Sequence, residues 1–361
     1  LFLQHDSTPG PSLRPDGSGI SPGDWDVLSR FWFPIAEVVE VGAAPFKARL
    51  LDVDLVVFRG ANGLAVARDR CPHRHVRLSG GQVEDGQIIC PYHALAFDET
   101  GQCTRIPAVG PDARIPRNYR VETFPVQVRY GLVWTCLVPD PDRDLPVFPD
   151  LVDSRPEDVV FIKTRDWPVS SARQVENFFD IGHLPVVHGA TLGGKPSDPV
   201  AAGKVTHQKD SVTLVAVYVE TPFGGAPRPC EYTYRIVLPF AIDFTVRDGT
   251  GHDMRLYDIA SPTSAHACRV FQFMKDTRHV DEHHRALIEG LDHVNLEDIG
   301  ILAGMTQDDI PLNARHEIHL QVDNIAHAYR ERLRGLGLGG APVQDRDWAL
   351  TEARTEPLEN V

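Results

Sequence analysis

Residues 71–75 read CPHRH and residues 90–93 read CPYH. Cys71 and His73 are two apart, sixteen residues follow, and Cys90 and His93 are three apart. Both strings lie in loops between short strands, where the chain can bend a Cys-x-His pair around a metal because strand alternation does not bind it. Gly80, Gly81 and Gly86 allow tight turns between the halves. Two thiolates and two imidazoles suit a structural zinc ion. They equally suit a two-iron, two-sulfur cluster with two Cys on one iron and two His on the other. Zinc fingers group Cys with Cys and His with His. Here each half holds one of each, so each can give its Cys to one iron and its His to the other. His75 lies one step outside the pattern and reads as an ordinary loop histidine.

Composition bounds what surrounds this motif. The chain has 361 residues, 42% apolar and 24% charged, which is enough for one large domain or two ordinary ones and excludes wholesale disorder. Lys plus Arg total 36 against 50 Asp plus Glu, a formal net charge of -14, so no nucleic acid or anionic membrane partner is expected. No apolar run approaches the roughly 18 residues of a spanning helix. The opening LFLQHDSTPG lacks a basic region followed by an apolar one, so no signal peptide is read there and a cytoplasmic location is expected. Six cysteines are too few for a disulfide scaffold. Cys103 and Cys136 read as buried thiols.

Along the chain, the Pro- and Gly-rich residues 1–22 read as a disordered arm and 23–45 as a helical segment, with a helix around Trp25–Val38 opened by Ser21-Pro22 and broken by Pro34. Residues 46–140 alternate short strands with turns, as in LLDVDLVVFRG and YGLVWTCLV, and read as an all-β domain. Residues 141–158, rich in Pro and Asp, read as a linker, 159–338 as a second, mixed α and β domain, and 339–361 as a tail. In the second domain the pattern predicts a helix over 170–184, strands through 212–274, and helices over 281–305 and 316–335. The first of those late helices aligns Leu287, Leu291, Val294, Ile301 and Met305. The second aligns Ile318, Val322, Ile325 and Tyr329.

A second constellation lies in ENFFDIGHLPVVHG at 176–189. Asp180 and His183 share a helix face. His183 and His188 are about 140° apart on an ideal helix, and meet at one metal only if the helix deforms, for which Pro185 supplies a kink. Two histidines and a carboxylate form the facial triad of non-haem Fe(II) oxygenases, with positions left open. The apolar ladder Leu287, Leu291, Val294 steps on to Asp298, a carboxylate that is costly on such a stripe unless paired or bound to metal. In the competing reading Glu297 and Asp298 form a solvated pair, with Glu176 or Asp180 as the carboxylate.

The two constellations together resemble the terminal oxygenase of the Rieske non-haem iron oxygenases, over roughly residues 25–335. CPHRH…CPYH is similar to the Rieske motif, and N-x2-D-x2-H-x4-H in the next domain to the family's iron-site string. The resemblance implies an α+β protein, with an N-terminal all-β Rieske [2Fe–2S] domain followed by a helix-grip catalytic domain with a curved antiparallel sheet. It puts Cys71, His73, Cys90 and His93 on the cluster, and His183, His188 and Asp298 on the mononuclear Fe(II). Asp180 falls on an aspartate that bridges a cluster histidine of one subunit to an iron histidine of its neighbour, and Asn177 on an asparagine near the iron. A head-to-tail homotrimer follows from that arrangement. IPAVGPDARIP at 106–116, YGLVWTCL at 130–137 and ENFFDIGHLPVVHGATLG at 176–193 resemble bacterial N-demethylases of methylxanthines and, more loosely, aryl O-demethylases.

The implied activity is O₂-dependent hydroxylation or oxidative N- or O-demethylation of a small aromatic or heterocyclic molecule. No G-x-G-x-x-G opens a βαβ unit, so electrons from NAD(P)H are expected through a separate reductase, with or without a ferredoxin. Aromatic residues between 232 and 274, among them Tyr232, Tyr234, Phe244, Tyr257 and Phe273, are candidates for the pocket or for plain core, and Arg235, Arg247, Arg255 and Arg269 for substrate anchors or surface ion pairs. The alternatives are a ring or aliphatic C–H hydroxylase or dioxygenase of the same family, a Rieske electron carrier without oxygenase activity, and a structural zinc protein.

Overall fold

Pro34 and Gly81 mark two points where local sequence sets the first half of the fold. A computed structural model describes residues 13–340 except 113, 153–158, 209, 222–225, 250–252, 276–281, 308, 310, 311 and 313–316. It divides into two compact units, residues 1–145 with 263–265, and 146–262 with 266–361. The division falls within the Pro- and Asp-rich stretch.

In the first unit, α1 (Pro22–Leu28) is capped by Ser21, whose Oγ accepts from the Asp24 N–H. The helix expected to continue to Val38 ends here. Phe33–Glu37 is instead strand β1, nearly all buried and paired with β11. Pro34 explains the change, because it interrupts a helix and is tolerated on an edge strand, which β1 is. Residues 13–22 are also not the free arm the sequence suggests. The Arg14 guanidinium donates to the Ser18 and Ile20 carbonyls, and Ile20 is buried. Residues 1–12 of that arm lie outside the described residues.

Ten further strands complete the unit: β2 (Phe46–Leu50), β3 (Val53–Arg59), β4 (Leu64–Arg68), β5 (Gln82–Glu84), β6 (Gln87–Ile89), β7 (Ala96–Phe97), β8 (Cys103–Arg105), β9 (Thr123–Phe124), β10 (Val126–Arg129) and β11 (Leu132–Thr135). They form antiparallel sheets in the orders β1-β11-β10, β2-β3-β4-β9 and β5-β6-β7-β8. Val56, Phe58, Leu78, Ile88 and Phe97 pack with Cys71, Cys90 and Cys103 in one core.

The second unit is built on seven strands: β12 (Val159–Trp167), β13 (Lys204–His207), β14 (Ser211–Glu220), β15 (Arg228–Val237), β16 (Ala241–Arg247), β17 (Met254–Ser264) and β18 (Ala267–Lys275). Their order is β12-β18-β17-β16-β15-β14-β13, with antiparallel pairing. Alternation turns Cys230, Tyr232, Tyr234 and Ile236 of β15 inward. The helices are α2 (Ser171–Phe179), α3 (Leu184–Val187), α4 (Glu282–Leu302) and α5 (Asn324–Gly335). Arg165 on β12 holds Asp292 on α4 through two bonds of 2.7 Å. α5 buries Ile325 and Tyr329, but Ile318 lies before the helix and is 93% exposed, so the expected stripe is shorter at its start. The tail beyond 340 lies outside the described residues. No described helix is long and apolar enough to cross a membrane.

Gly81 is where the loop between the two Cys/His strings meets β6. A Cβ there would lie 1.9 Å from the Ile89 carbonyl oxygen. Gly81→Ala is expected to cost about 1–3 kcal/mol, the range for forced overpacking, read as a lower urea midpoint by circular dichroism.

Candidate active site

The two Cys/His loops are built alike. The Cys71 N–H donates to the Val76 carbonyl at 2.8 Å and the Cys90 N–H to the Leu95 carbonyl at 2.8 Å. In each, the fourth residue on returns its N–H to the cysteine carbonyl, His75 to Cys71 at 2.9 Å and Ala94 to Cys90 at 3.1 Å, and both residues take the left-handed backbone, φ 59° and 54°. His75 thus occupies the turn position that alanine fills in the other loop. The sulfurs are buried and adjacent, while His73 and His93 lie exposed with ring centroids 4.6 Å apart. Burial and the neighbouring Cys90 thiol push the Cys71 thiol up to about 12, so a thiolate there needs a cation beside it. Burial, His93 and Arg74 hold His73 below its ordinary value, in the neutral form that binds metal. Buried sulfurs and outward imidazoles fit a [2Fe–2S] cluster held on its deep side by Cys71 and Cys90. Cys103 and Cys136 are buried.

The second centre forms where α2 stops. Asp180 caps α2 in extended conformation, and its Oδ1 accepts from the Gly182 N–H at 2.7 Å. The chain breaks between Asp180 and His183, before Pro185 and not at it. Pro185 lies in the first turn of α3, where its missing N–H costs nothing. His183 and His188 cap the two ends of that single turn, which brings their side chains together.

Asp298 joins them from α4. His183 Nε2 is 3.2 Å from His188 Nε2 and 3.5 Å from Asp298 Oδ1, which is 3.0 Å from His188 Nε2. All three ligand atoms lie within 4.8 Å of one another. The opposite ring nitrogens are engaged, His183 Nδ1 with Asp180 Oδ2 at 3.3 Å and His188 Nδ1 with Glu297 Oε2 at 2.7 Å. With a proton on each Nδ1, both Nε2 atoms turn lone pairs toward Asp298 Oδ1, which is buried and accepts no hydrogen bond among the described residues. That donor set fits a cation. Without one, a proton substitutes: burial pulls His183 down, but Asp180 and Asp298 outweigh it and raise it to about 9. Asp298 is held below the usual carboxylate range by the two histidines, against burial.

The rival carboxylates are otherwise occupied. Glu176 is buried and takes two bonds from Arg330, at 2.7 and 2.6 Å, and one from Arg173 at 2.9 Å. Glu297 and Asp298 are not a solvated pair, since both turn inward. The face of α4 toward the core is Asn295, Asp298 and Leu302, whereas Ile301 and Met305 of the expected apolar ladder are 54% and 41% exposed. Asn177 lies one turn before Asp180 and, with it, lines a cavity of about 190 Å³. Its buried Nδ2 has no described partner. Sequence reasoning missed the Glu297 contact with His188, because the residue beside Asp298 is rotated about 100° away on a helix and only its side-chain length brings it back.

The aromatic candidates separate. Tyr234 and Phe244 stack at 4.4 Å with Phe178 edge-on to both, whereas Tyr257 and Phe273 pack with Phe148. Burial and the charges of Asp180, Glu220 and Asp298 hold the Tyr234 phenol well above its ordinary value. The four arginines pair with carboxylates: Arg255 and Arg235 with Asp243, Arg247 with Glu231 and Asp253, Arg269 with Asp166.

Residues 31–125 match the Rieske [2Fe-2S] domain, and residues 167–338 the vanillate O-demethylase oxygenase C-terminal domain. Among characterised proteins the chain is 28% identical over 326 residues to methylxanthine N1-demethylase NdmA of Pseudomonas putida, covering 86% of this chain and 90% of that one. It is 28% identical over 364 residues to methylxanthine N3-demethylase NdmB of the same organism, covering 92% and 97%. The solved structure of Pseudomonas putida CBB5 NdmA with caffeine superposes with a TM-score of 0.74 at 26% identity, over 86% of this chain and 91% of that one. An iron–sulfur domain followed by a catalytic domain with a His/His/Asp set defines an oxygenase. The chain belongs to the Rieske non-haem iron oxygenases. Its cofactors are a [2Fe–2S] cluster and a mononuclear iron, with a separate reductase delivering electrons.

A buried polar string lies one helical turn behind the metal candidate. Asn295 donates to Gln272 at 2.6 Å, and Gln272 and Gln174 donate to Asp258 at 2.7 and 3.3 Å. Burial pushes the Asp258 carboxyl up to about 7, with the two glutamine bonds opposing and the charge of Asp298 adding to it. The folded state therefore keeps a proton that the unfolded chain gives up near pH 4. The associated stability is present at low pH and is lost as pH rises to about 7. Asp258→Asn is expected to be stabilised relative to the parent, by more at pH 8 than at pH 5, as read from urea midpoints.

Proposed function

We propose that the protein is a terminal oxygenase that oxidatively demethylates a small N- or O-methylated aromatic or heterocyclic substrate. The observation carrying this reading is the convergence of His183, His188 and Asp298 in a unit preceded by two matched Cys/His loops. When bound, the mononuclear iron supplies O₂ activation and the cluster supplies electrons one at a time. Cys71, His73, Cys90 and His93 hold the cluster, and His183, His188 and Asp298 hold the iron. Asp180 keeps the proton of His183 on Nδ1 and links it to the cluster of a neighbouring copy, in a head-to-tail homotrimer of the closed kind that a heterologous interface with three-fold rotation gives. Its side chain is 39% exposed, which leaves it accessible to such a neighbour. Asn177 lines, with Asp180, a cavity of about 190 Å³ whose lining includes none of His183, His188 and Asp298.

The methyl group is supported as the oxidised position by the two Pseudomonas putida relatives, both demethylases by name and aligned over most of this chain. In the balanced reaction the methyl C–H, O₂, two electrons and two protons give a hydroxymethyl group and water. The hydroxymethyl group then leaves as formaldehyde, with hydrogen replacing methyl on nitrogen or oxygen. A second reading, attack on a ring carbon, is favoured by the 32% identity, over 60% of this chain, to the 3-chlorobenzoate-3,4-dioxygenase oxygenase subunit of Comamonas testosteroni.

Anaerobically purified protein is expected to hold about three irons and two acid-labile sulfides per chain, and Asp298→Ala about two irons with the sulfide unchanged. With NADH and a surrogate reductase, a panel of methylxanthines and aryl methyl ethers should release formaldehyde. A hydroxylated ring without formaldehyde would establish the second reading, and zinc without sulfide would overturn both.

A further inference from the structure

We infer that Glu297 is the positioning residue of the mononuclear iron site: it fixes His188, and it governs more than Asp180 does how tightly the site holds the metal. The inference rests on the reading of His183, His188 and Asp298 as ligands. The two histidines are oriented by unlike devices. His188 is 1% exposed, and its Nδ1–H donates to Glu297 Oε2 at 2.7 Å. Thr191 Oγ1 donates to both oxygens of the same carboxylate, at 2.9 and 3.1 Å, while the Thr191 N–H donates to the His188 carbonyl at 3.0 Å. The clamp therefore closes on itself: Glu297 holds the ring of His188, Thr191 holds Glu297, and the backbone of His188 holds Thr191.

His183 has no such clamp. Its Asp180 partner stands farther off, at 3.3 Å against 2.7 Å for Glu297 at His188. The other oxygen of Asp180 is committed to the Gly182 N–H. α4 thus supplies two adjacent carboxylates to one imidazole, Glu297 at Nδ1 and Asp298 facing Nε2. A short bond from a carboxylate to Nδ1–H keeps the proton there, aims the Nε2 lone pair at the metal and raises its basicity.

Losing such an outer partner typically weakens metal binding about 10–100-fold. The test uses full-length protein with its cluster intact, stripped of mononuclear iron, and measures Fe(II) dissociation constants by chelator competition. The d–d absorption of bound Co(II) serves as a second readout, of ligand geometry. Glu297→Ala is expected to bind Fe(II) about 10–100-fold more weakly than the parent and to change the Co(II) spectrum, with Glu297→Gln intermediate and Asp180→Ala losing less than Glu297→Ala. A loss for Glu297→Ala no larger than for Asp180→Ala overturns the inference. If Glu297→Ala does not fold, as judged by circular dichroism, Glu297→Gln against Asp180→Asn makes the same comparison. His188→Ala separates the two levels, because parental affinity in that variant would mean that the ligand reading itself fails.

Discussion

Two imidazole nitrogens and a carboxylate oxygen stand 3.0–3.5 Å apart, with His188 and Asp298 buried, present lone pairs to one another and need a positive charge among them. Much of the second unit serves to hold that arrangement. α2 ends at Asp180 so that His183 and His188 can cap one short turn, and α4 is fastened to β12 by the Arg165–Asp292 fork. Behind His183, His188 and Asp298, the side chains of Gln174, Asp258, Gln272 and Asn295 tie α2 and α4 to the sheet with hydrogen bonds. A core filled with such polar groups is costly, and here the cost goes with a fixed arrangement of His183, His188 and Asp298.

The same logic appears beside α2. Arg173 and Arg330 meet Glu176 and Glu317 in a compact set of two cations and two anions, and it fastens α5 and residue 317 to the helix that carries Asn177 and leads to Asp180. Each charge is satisfied by at least two partners, so the set is internally neutral. Removing one member of such a buried group leaves another uncompensated, typically a loss of about 3–5 kcal/mol.

The first unit answers a different requirement. An electron relay must hold its cluster rigidly and yet leave one side open to partners. The duplicated loop closes each Cys/His string with the same two backbone bonds, keeps sulfur inside, and leaves His73, His93 and the 61% exposed Tyr92 outside. Oxygen chemistry is left to the other unit, whose metal candidate is buried.

The features legible in the sequence are those whose geometry is local. Cys71 with His73, Cys90 with His93, and Asp180 with His183 lie within one loop or turn, so spacing alone confines where their side chains reach, and strand alternation along 212–274 was readable for the same reason. Pro34 and Pro185 were visible as interruptions, but what each interrupts was not. Residues 33–37 became a strand because β11 offers an edge, and Pro185 opens a turn because the break had already come at Asp180. Asp298 was ambiguous for a deeper reason. Six strands lie between His188 and α4, and helix periodicity cannot say which face a long-range partner covers. Burial decided it, turning Asn295 and Asp298 inward and Ile301 outward against the apolar pattern. By itself the sequence determined the chemistry of the donors and their local spacing, because covalent geometry confines neighbouring side chains. The tertiary structure alone decided which carboxylates stand against the two imidazoles, Asp298 facing their Nε2 atoms and Glu297 at Nδ1 of His188, because only packing brings α4 against the end of α2.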